Sequence, residues 1–278
     1  PSMSVVAIVG AGPIGAATAQ RLACRDSGRH VRLVDASVDA ASGKALDIQQ
    51  AGPVENFNTR LSAAADILAA AAADVIVVAD RIAEGEWRDG DGRHLVATLA
   101  RAGTKAPIVF AGPSQFALME HAYAEFGVAA HRLVGTAPSA LVSAVQMLAG
   151  VEMDAAAADV TVVGRPLSFV VGWSAATSGG SLVSDRVPAH RLLAISNALP
   201  RLWPPGPDAI GAATARIVDA IVHGARRHLP ALTILEGELG ARGKAVMLPL
   251  ELGRLRVLSH ALPSLSPQER TELVNGLS

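Results

Sequence analysis

The sequence predicts an α/β chain, with a doubly wound parallel sheet in its first half and an α+β unit in its second. Three observations carry this. Short β-branched runs alternate with alanine-rich helical patterns as far as Gly135, the order that right-handed crossovers fold into a parallel sheet. The run at 74–78 (DVIVV) is almost wholly apolar, as in a strand buried on both faces. Beyond Gly135 the pattern changes to strand pairs of antiparallel type and one long amphipathic helix. Two domains, 3–135 and 136–278, follow from that change. Pro1 and Ser2, ahead of Met3, read as a cloning remnant outside the fold.

Each element has its own signal. Residues 4–9 are rich in Val and Ile and form the first strand. Residues 14–24 follow as an alanine-rich helix, then 30–35 as a strand and 42–51 as a helix. Strand 74–78 leads to a helix at 95–101 and a strand at 107–111. Residues 114–126 read as a helix because Phe116, Met119, Tyr123 and Phe126 recur at spacings of three and four. Residues 132–135 are a short strand. In the second half, 160–164 and 169–172 read as an antiparallel pair. Residues 210–225 place Ile210, Ala213, Ile217, Ala220 and Ile221 on one helical face. Residues 233–236, 246–250 and 255–258 are strand-like. Ser266, Pro267 and Glu269 give an N-cap, a proline at N1 and a capping-box acid at N3. The alanine runs 63–65, 69–73 and 155–158 read as helix filler.

Composition excludes several functions. Of the 278 residues, 50% are hydrophobic and 18% charged, which rules out a disordered chain. No run of about 18 strongly apolar residues is present, so no membrane span is expected. The net charge is −1 and aromatics are 3%. Nucleic-acid binding therefore lacks both a cationic face and a stacking platform. The lone Cys24 excludes an internal disulfide and a thiolate zinc cluster. On its alanine-rich helix it reads as a small core residue. No leader is visible ahead of the first strand, so a cytoplasmic location is expected.

Gly10-Ala11-Gly12-Pro13-Ile14-Gly15 is a GxGxxG loop that ends a strand and opens a helix. Gly10 permits the tight turn, Gly12 lets backbone approach a pyrophosphate, and Gly15 lets helix and strand pack closely. The helix start offers free N–H groups and partial positive charge to phosphate. Asp35 ends the second strand, 20 residues after Gly15. An acid there accepts the ribose hydroxyls and repels a 2′-phosphate, which favours NAD over NADP.

Taken together, GAGPIGAATAQRLA, VRLVDAS, GKALDIQQAGPV, ADVIVVAD, HRLVGTA, ARIVDAIV and ILEGELG resemble the lactate/malate dehydrogenase family in segment and in order, from Met3 to the C-terminus. The resemblance implies a Rossmann-type NAD domain followed by that family's α+β C-terminal domain. It implies cofactor contacts from Gly10, Gly12, Pro13, Ile14, Gly15, Asp35 and Ala79. It also implies a 2-hydroxy or 2-oxo acid as small-molecule ligand and a homodimer or tetramer. The helix at 43–51 resembles the one that family members pack across a two-fold axis, and Ala45, Leu46 and Ile48 span too wide an arc for one buried side.

The family's catalytic groups are not matched. Its histidine base corresponds to Pro166, in Gly164-Arg165-Pro166-Leu167. Its orienting Asp and clamping Arg correspond to Val142 and Val145, in Leu141-Val142-Ser143-Ala144-Val145, and a one-residue shift puts Leu141 and Ala144 there. Its Asn-Pro pair reads Gly112-Pro113, and its turn after the fourth strand reads Ala79-Asp80-Arg81. The remaining cationic candidates are Arg88, in the loop, and Arg165, beside the lost base. None of the eight histidines falls at the base position. Asp80 puts a carboxylate near the expected pyrophosphate, and Arg81 is available to neutralise it. Trp87 reads either as a loop anchor or as a lid, and Asp89-Gly90-Asp91-Gly92 as a turn. Two functions follow: an NAD-linked oxidoreductase of lactate/malate type, or a catalytically inactive NAD(H)-binding sensor or scaffold subunit.

Overall fold

The computed structural model describes residues 4–154 and 158–277. The strands of its main sheet are β1 (Val5–Val9), β2 (His30–Val34), β3 (Arg60–Ala64), β4 (Val75–Val78), β5 (Ile108–Phe110), β6 (Leu133–Gly135), β7 (Val162–Arg165), β8 (Ser168–Val171), β9 (His228–Glu236), β10 (Arg242–Gly253) and β11 (Arg256–His260). The principal helices are α1 (Pro13–Cys24), α2 (Val38–Gln50), α3 (Asp89–Arg101), α4 (Phe116–Ala124), α5 (Ala137–Glu152), α6 (Ala189–Ala198), α7 (Pro207–His223) and α8 (Pro267–Asn275).

These strands form one sheet in the order β8-β7-β10-β9-β6-β5-β4-β1-β2-β3, with β11 on β10. From β6 to β3 all neighbours are parallel. The strand order reverses between β1 and β4, so the crevice at their C-terminal ends is a topological switch point. Gly10 to Gly15 sit there. The sheet then continues into the second half, where β9 runs antiparallel to β6 through Leu232 opposite Gly135.

Burial explains the apolar runs. Val6, Ile8, Val75 and Val77 join the cluster on one face of the sheet, and Ala7, Val9, Ile76 and Val78 the cluster on the other. That is the two-residue alternation of a strand covered on both sides. Helices α1 and α7 pack tightly on the first face, where a Cβ at Gly211 would lie 2.6 Å from the Ala17 Cβ. Ile210, Ile217, Ala220 and Ile221 of α7 are buried as the periodicity predicts.

Four expectations are corrected. Ala63 and Ala64 are not helix filler but the end of β3, which pairs with β2 from His30↔Arg60 to Val34↔Ala64; tertiary pairing overrides alanine's helical preference. The 69–73 run is only in part a single 3₁₀ turn, Ile67–Ala70. Asp89 to Gly92 are not a free turn. They form the first turn of α3, where the acids favour the positive helix end. Cys24 is exposed at the end of α1 rather than in the core. Of the 155–158 run, residues 155–157 lie outside the described residues, as do Pro1 and Ser2. Among the described residues no helix is long and apolar enough to cross a membrane.

Candidate functional site

The glycine loop has the backbone its motif requires. Gly10 has φ +107°, and a Cβ on Gly15 would lie 2.1 Å from the Gly10 oxygen. Close contact of helix and strand thus needs glycine at 15. The structure brings Gly10, Gly12, Pro13, Ile14, Gly15, Asp35 and Ala79 around one crevice at the ends of β1, β2 and β4.

What occupies that crevice is the chain itself. Residues Asp80–Arg81 and Gly85–Glu86 pair as a small antiparallel hairpin directly after β4. Asp80 Oδ1 accepts the N–H of Ile14 at 2.9 Å and of Gly15 at 3.0 Å. Its backbone carbonyl accepts the N–H of Gly12 at 2.7 Å. A Cβ on Gly12 would lie 2.6 Å from the Asp80 Cγ, so the room left by this glycine is filled by a carboxylate. Gly10 N–H donates to the Val34 carbonyl, and Ala11 N–H to Asp35 Oδ2. Pro13 has no N–H. Every loop amide from 10 to 15 therefore has an internal acceptor.

Asp35 is engaged in the same way. It is 3% exposed. Oδ2 accepts from Ala11 and from Ile82 of the hairpin, and Oδ1 accepts from Ser37. The far end of the crevice carries a third attachment. Glu86 Oε2 accepts from the Ser114 N–H at 3.0 Å and hydroxyl at 2.6 Å. A Cβ on Gly112 would lie 2.5 Å from that oxygen. Buried Gln115 braces the turn, with Oε1 accepting from Gly112 and Nε2 donating to the Ala79 carbonyl.

Trp87 is an anchor. Its Nε1 donates to the Val9 carbonyl at 3.3 Å, and its ring packs on the core. Arg81 lies over that ring at 4.3 Å and pairs with Glu84 and Asp91. The expectation that Arg81 neutralises Asp80 is therefore corrected: its guanidinium turns to other acids, and the positive charge facing Asp80 is the N-terminus of α1. Burial pushes the Asp80 carboxyl above its ordinary value; the Gly15 and Ile14 amides oppose this, and Glu86 adds to it.

A dinucleotide does not fit this arrangement. Its pyrophosphate would need the amides that Asp80 holds, and a second anion beside a carboxylate at about 4 Å costs on the order of 4 kcal/mol at a partly shielded site.

The positions at which the sequence resemblance expects the family's catalytic groups are apolar and packed. Val142 and Val145 of α5 are 4% and 0% exposed and belong to the core. Pro166 is buried at the turn between β7 and β8. Arg165 pairs with Glu120 at 3.0 Å and lies 6.0 Å from the Phe116 ring. Arg88 is exposed, bonded to Glu86 and the Ser114 hydroxyl. Both cations are held by neighbouring side chains. Among the described residues no group of histidines, acids and cysteine could hold a metal. His223 and His228 are separated by the end of α7 and the start of β9.

Residues 4–92 match the family described as lactate/malate dehydrogenase, NAD binding domain. The chain is 29% identical to a malate dehydrogenase of Thioalkalivibrio sulfidiphilus over 99% of its length and 97% of that protein's. It is 28% identical to one from Thermomicrobium roseum, over 96% and 93%. Among solved structures it superposes on the minor L-lactate dehydrogenase of Enterococcus mundtii with a TM-score of 0.86 at 20% identity, covering 98% of this chain and 95% of that one. The Cryptosporidium parvum malate dehydrogenase gives 0.86 at 18% identity, covering 99% and 96%. At those identities the structures show a shared fold.

Proposed function

We propose that the chain is a member of the lactate/malate dehydrogenase family that no longer carries the usual hydroxy-acid reaction. Its role is that of a ligand-binding sensor or scaffold subunit. What supports this reading is the apolar trio Pro166, Val142 and Val145, which the resemblance puts at the positions of base, orienting acid and clamp. Oxidising a 2-hydroxy acid removes hydride as the hydroxyl proton leaves, so a base must touch that oxygen. Proline has no proton to exchange, and buried valines neither orient an imidazole nor fork onto a carboxylate. Loss of one such group costs about 10²–10⁴ in rate, and joint losses act as a unit.

Steady-state assays with NADH and either oxaloacetate or pyruvate test this. Turnover should lie far below the ordinary range of about 1–10³ s⁻¹. A value of about 10 s⁻¹ or more with either substrate contradicts it and means that an unrecognised base is at work.

A second reading, an NAD-linked oxidoreductase of lactate/malate type, is favoured by Gly10, Gly12, Gly15 and Asp35 at the switch point. Under it the ligand is a 2-hydroxy or 2-oxo acid and the cofactor NAD, with Ala79, Pro13 and Ile14 completing the cofactor wall. Calorimetry would then show NAD(H) bound more tightly than NADP(H), with the gap narrowed in Asp35→Ala. Absence of NAD(H) binding at millimolar concentration excludes it. For either reading we propose a cytoplasmic protein that is a homodimer or a tetramer built from two such dimers.

A further inference from the structure

We propose that the 80–86 hairpin is a built-in occupant of the dinucleotide cleft, with the Asp80 carboxylate standing in for phosphate, so that NAD(H) and its ADP portion enter only by displacing it. The inference rests on the cleft geometry and not on the loss of the catalytic groups.

The hairpin is fastened along the whole crevice. Asp80 takes the two helix amides that a pyrophosphate would take. Ile82 N–H takes the Asp35 oxygen that would face a ribose. Glu86 lies against Gly112 and Ser114 at the other end. Taken as Ile82, Asp80 and Glu86, the three contacts follow the order in which adenosine ribose, pyrophosphate and the nicotinamide side would lie in a dinucleotide. Asp80 is 7% exposed, so the carboxylate is inside the cleft and not at its rim. Trp87 then ties the end of the hairpin to the β1 carbonyl of Val9. The helix N-terminus attracts a negatively charged side chain for the same reason that it attracts a phosphate, although burial outweighs that pull on the Asp80 carboxyl.

Calorimetric titration of NAD⁺ and of ADP into wild type, Asp80→Gly and Asp80→Asn tests this. Glycine removes the side chain, whereas asparagine keeps its shape without its charge. Wild type should bind both ligands weakly. Asp80→Gly should bind them at least tenfold more tightly, which is about 1.4 kcal/mol, and Asp80→Asn should gain less. Circular dichroism establishes that each variant is folded, and the asparagine variant decides the matter if glycine unfolds the chain. Wild-type binding equal to that of both variants overturns the inference. So does a folded variant that gains no affinity, because its freed amides would then not receive phosphate. An Asp80→Gly protein that binds NAD⁺ and also turns over oxaloacetate would sink the reading of lost catalysis while leaving this inference standing.

Discussion

The Asp35 carboxylate accepts the backbone N–H of Ile82 at 3.0 Å, so the acid at the end of β2 holds the hairpin that follows β4. It also accepts the N–H groups of Ala11 and Ser37. Asp35→Ala should leave these three donors without an acceptor. Hydrogen bonds to charged groups contribute about 1.5–3 kcal/mol each, and water reaching the released hairpin returns part of that. Urea denaturation should show a loss of about 2–4 kcal/mol. A loss within the ~0.5 kcal/mol of an ordinary surface change would mean that the carboxylate does not hold the hairpin.

Asp80 makes stability depend on pH in the unusual direction for an acid. Burial first of all, with Glu86 adding, holds its carboxyl above the ordinary value against the pull of the Gly15 and Ile14 amides. Arg81, next in the chain, faces Glu84 and Asp91. The folded state then keeps the proton to higher pH than the unfolded state. That contribution is complete below the unfolded value of 3.8 and is lost as pH rises through the folded one. Asp80→Asn cannot ionise, so its melting temperature should gain on wild type from about pH 4 towards neutrality. A difference constant across that range contradicts the assignment.

Glu269 acts in the opposite sense. Burial alone would raise its carboxyl, but hydrogen bonds from Ser174 and Ser266 outweigh that and hold it below the ordinary value. Its Oε2 accepts the Ser266 N–H at 2.7 Å while Ser266 Oγ accepts the Glu269 N–H at 3.3 Å. Oε1 accepts the Ser174 N–H, which ties α8 to the loop after β8. Glu269→Ala should cost about 1–2 kcal/mol, as lost caps do. The stabilisation is present above the unfolded value of 4.5 and fades as pH falls through the folded one. Thermal scans of wild type and Glu269→Ala should therefore differ at neutral pH and converge at acid pH, and a gap unchanged by acid would refute the carboxylate's part.

Helix α2 buries Ala45 and Ile48 but leaves Leu46 58% exposed. A second copy is the expected cover, since two-fold dimers are the commonest closed assembly. Light scattering at micromolar concentration should give two or four times the 28.4 kDa chain mass. Leu46→Glu should split the particle, because the carboxylate would be buried unpaired. A dimer that survives the change places the interface elsewhere.

The fold was largely legible in the sequence because its signals are local. Apolar runs in β1 and β4, the glycine loop between β1 and α1, and the Ser266 capping box each declare themselves within a few residues. Strand β3 was not legible, because Ala63 and Ala64 carry no strand preference and are held by pairing with β2. The presence of Asp80 near the phosphate seat was visible, but its partner was not. Adjacency pointed to Arg81, whereas the fold aims the carboxylate at the amides of Ile14 and Gly15, 66 and 65 positions away. Backbone donors leave no mark in composition. The charge conflict at the glycine loop was the one available clue that the cleft is filled from within.

Amide hydrogen exchange over residues 10–16 and 80–87, with and without NAD⁺, tests the self-filled cleft most directly. The Ile14 and Gly15 amides should be protected in the protein alone, since Asp80 already holds them, and millimolar NAD⁺ should add little. If those amides instead exchange freely and become protected only when NAD⁺ is added, the cleft is open and Asp80 does not fill it.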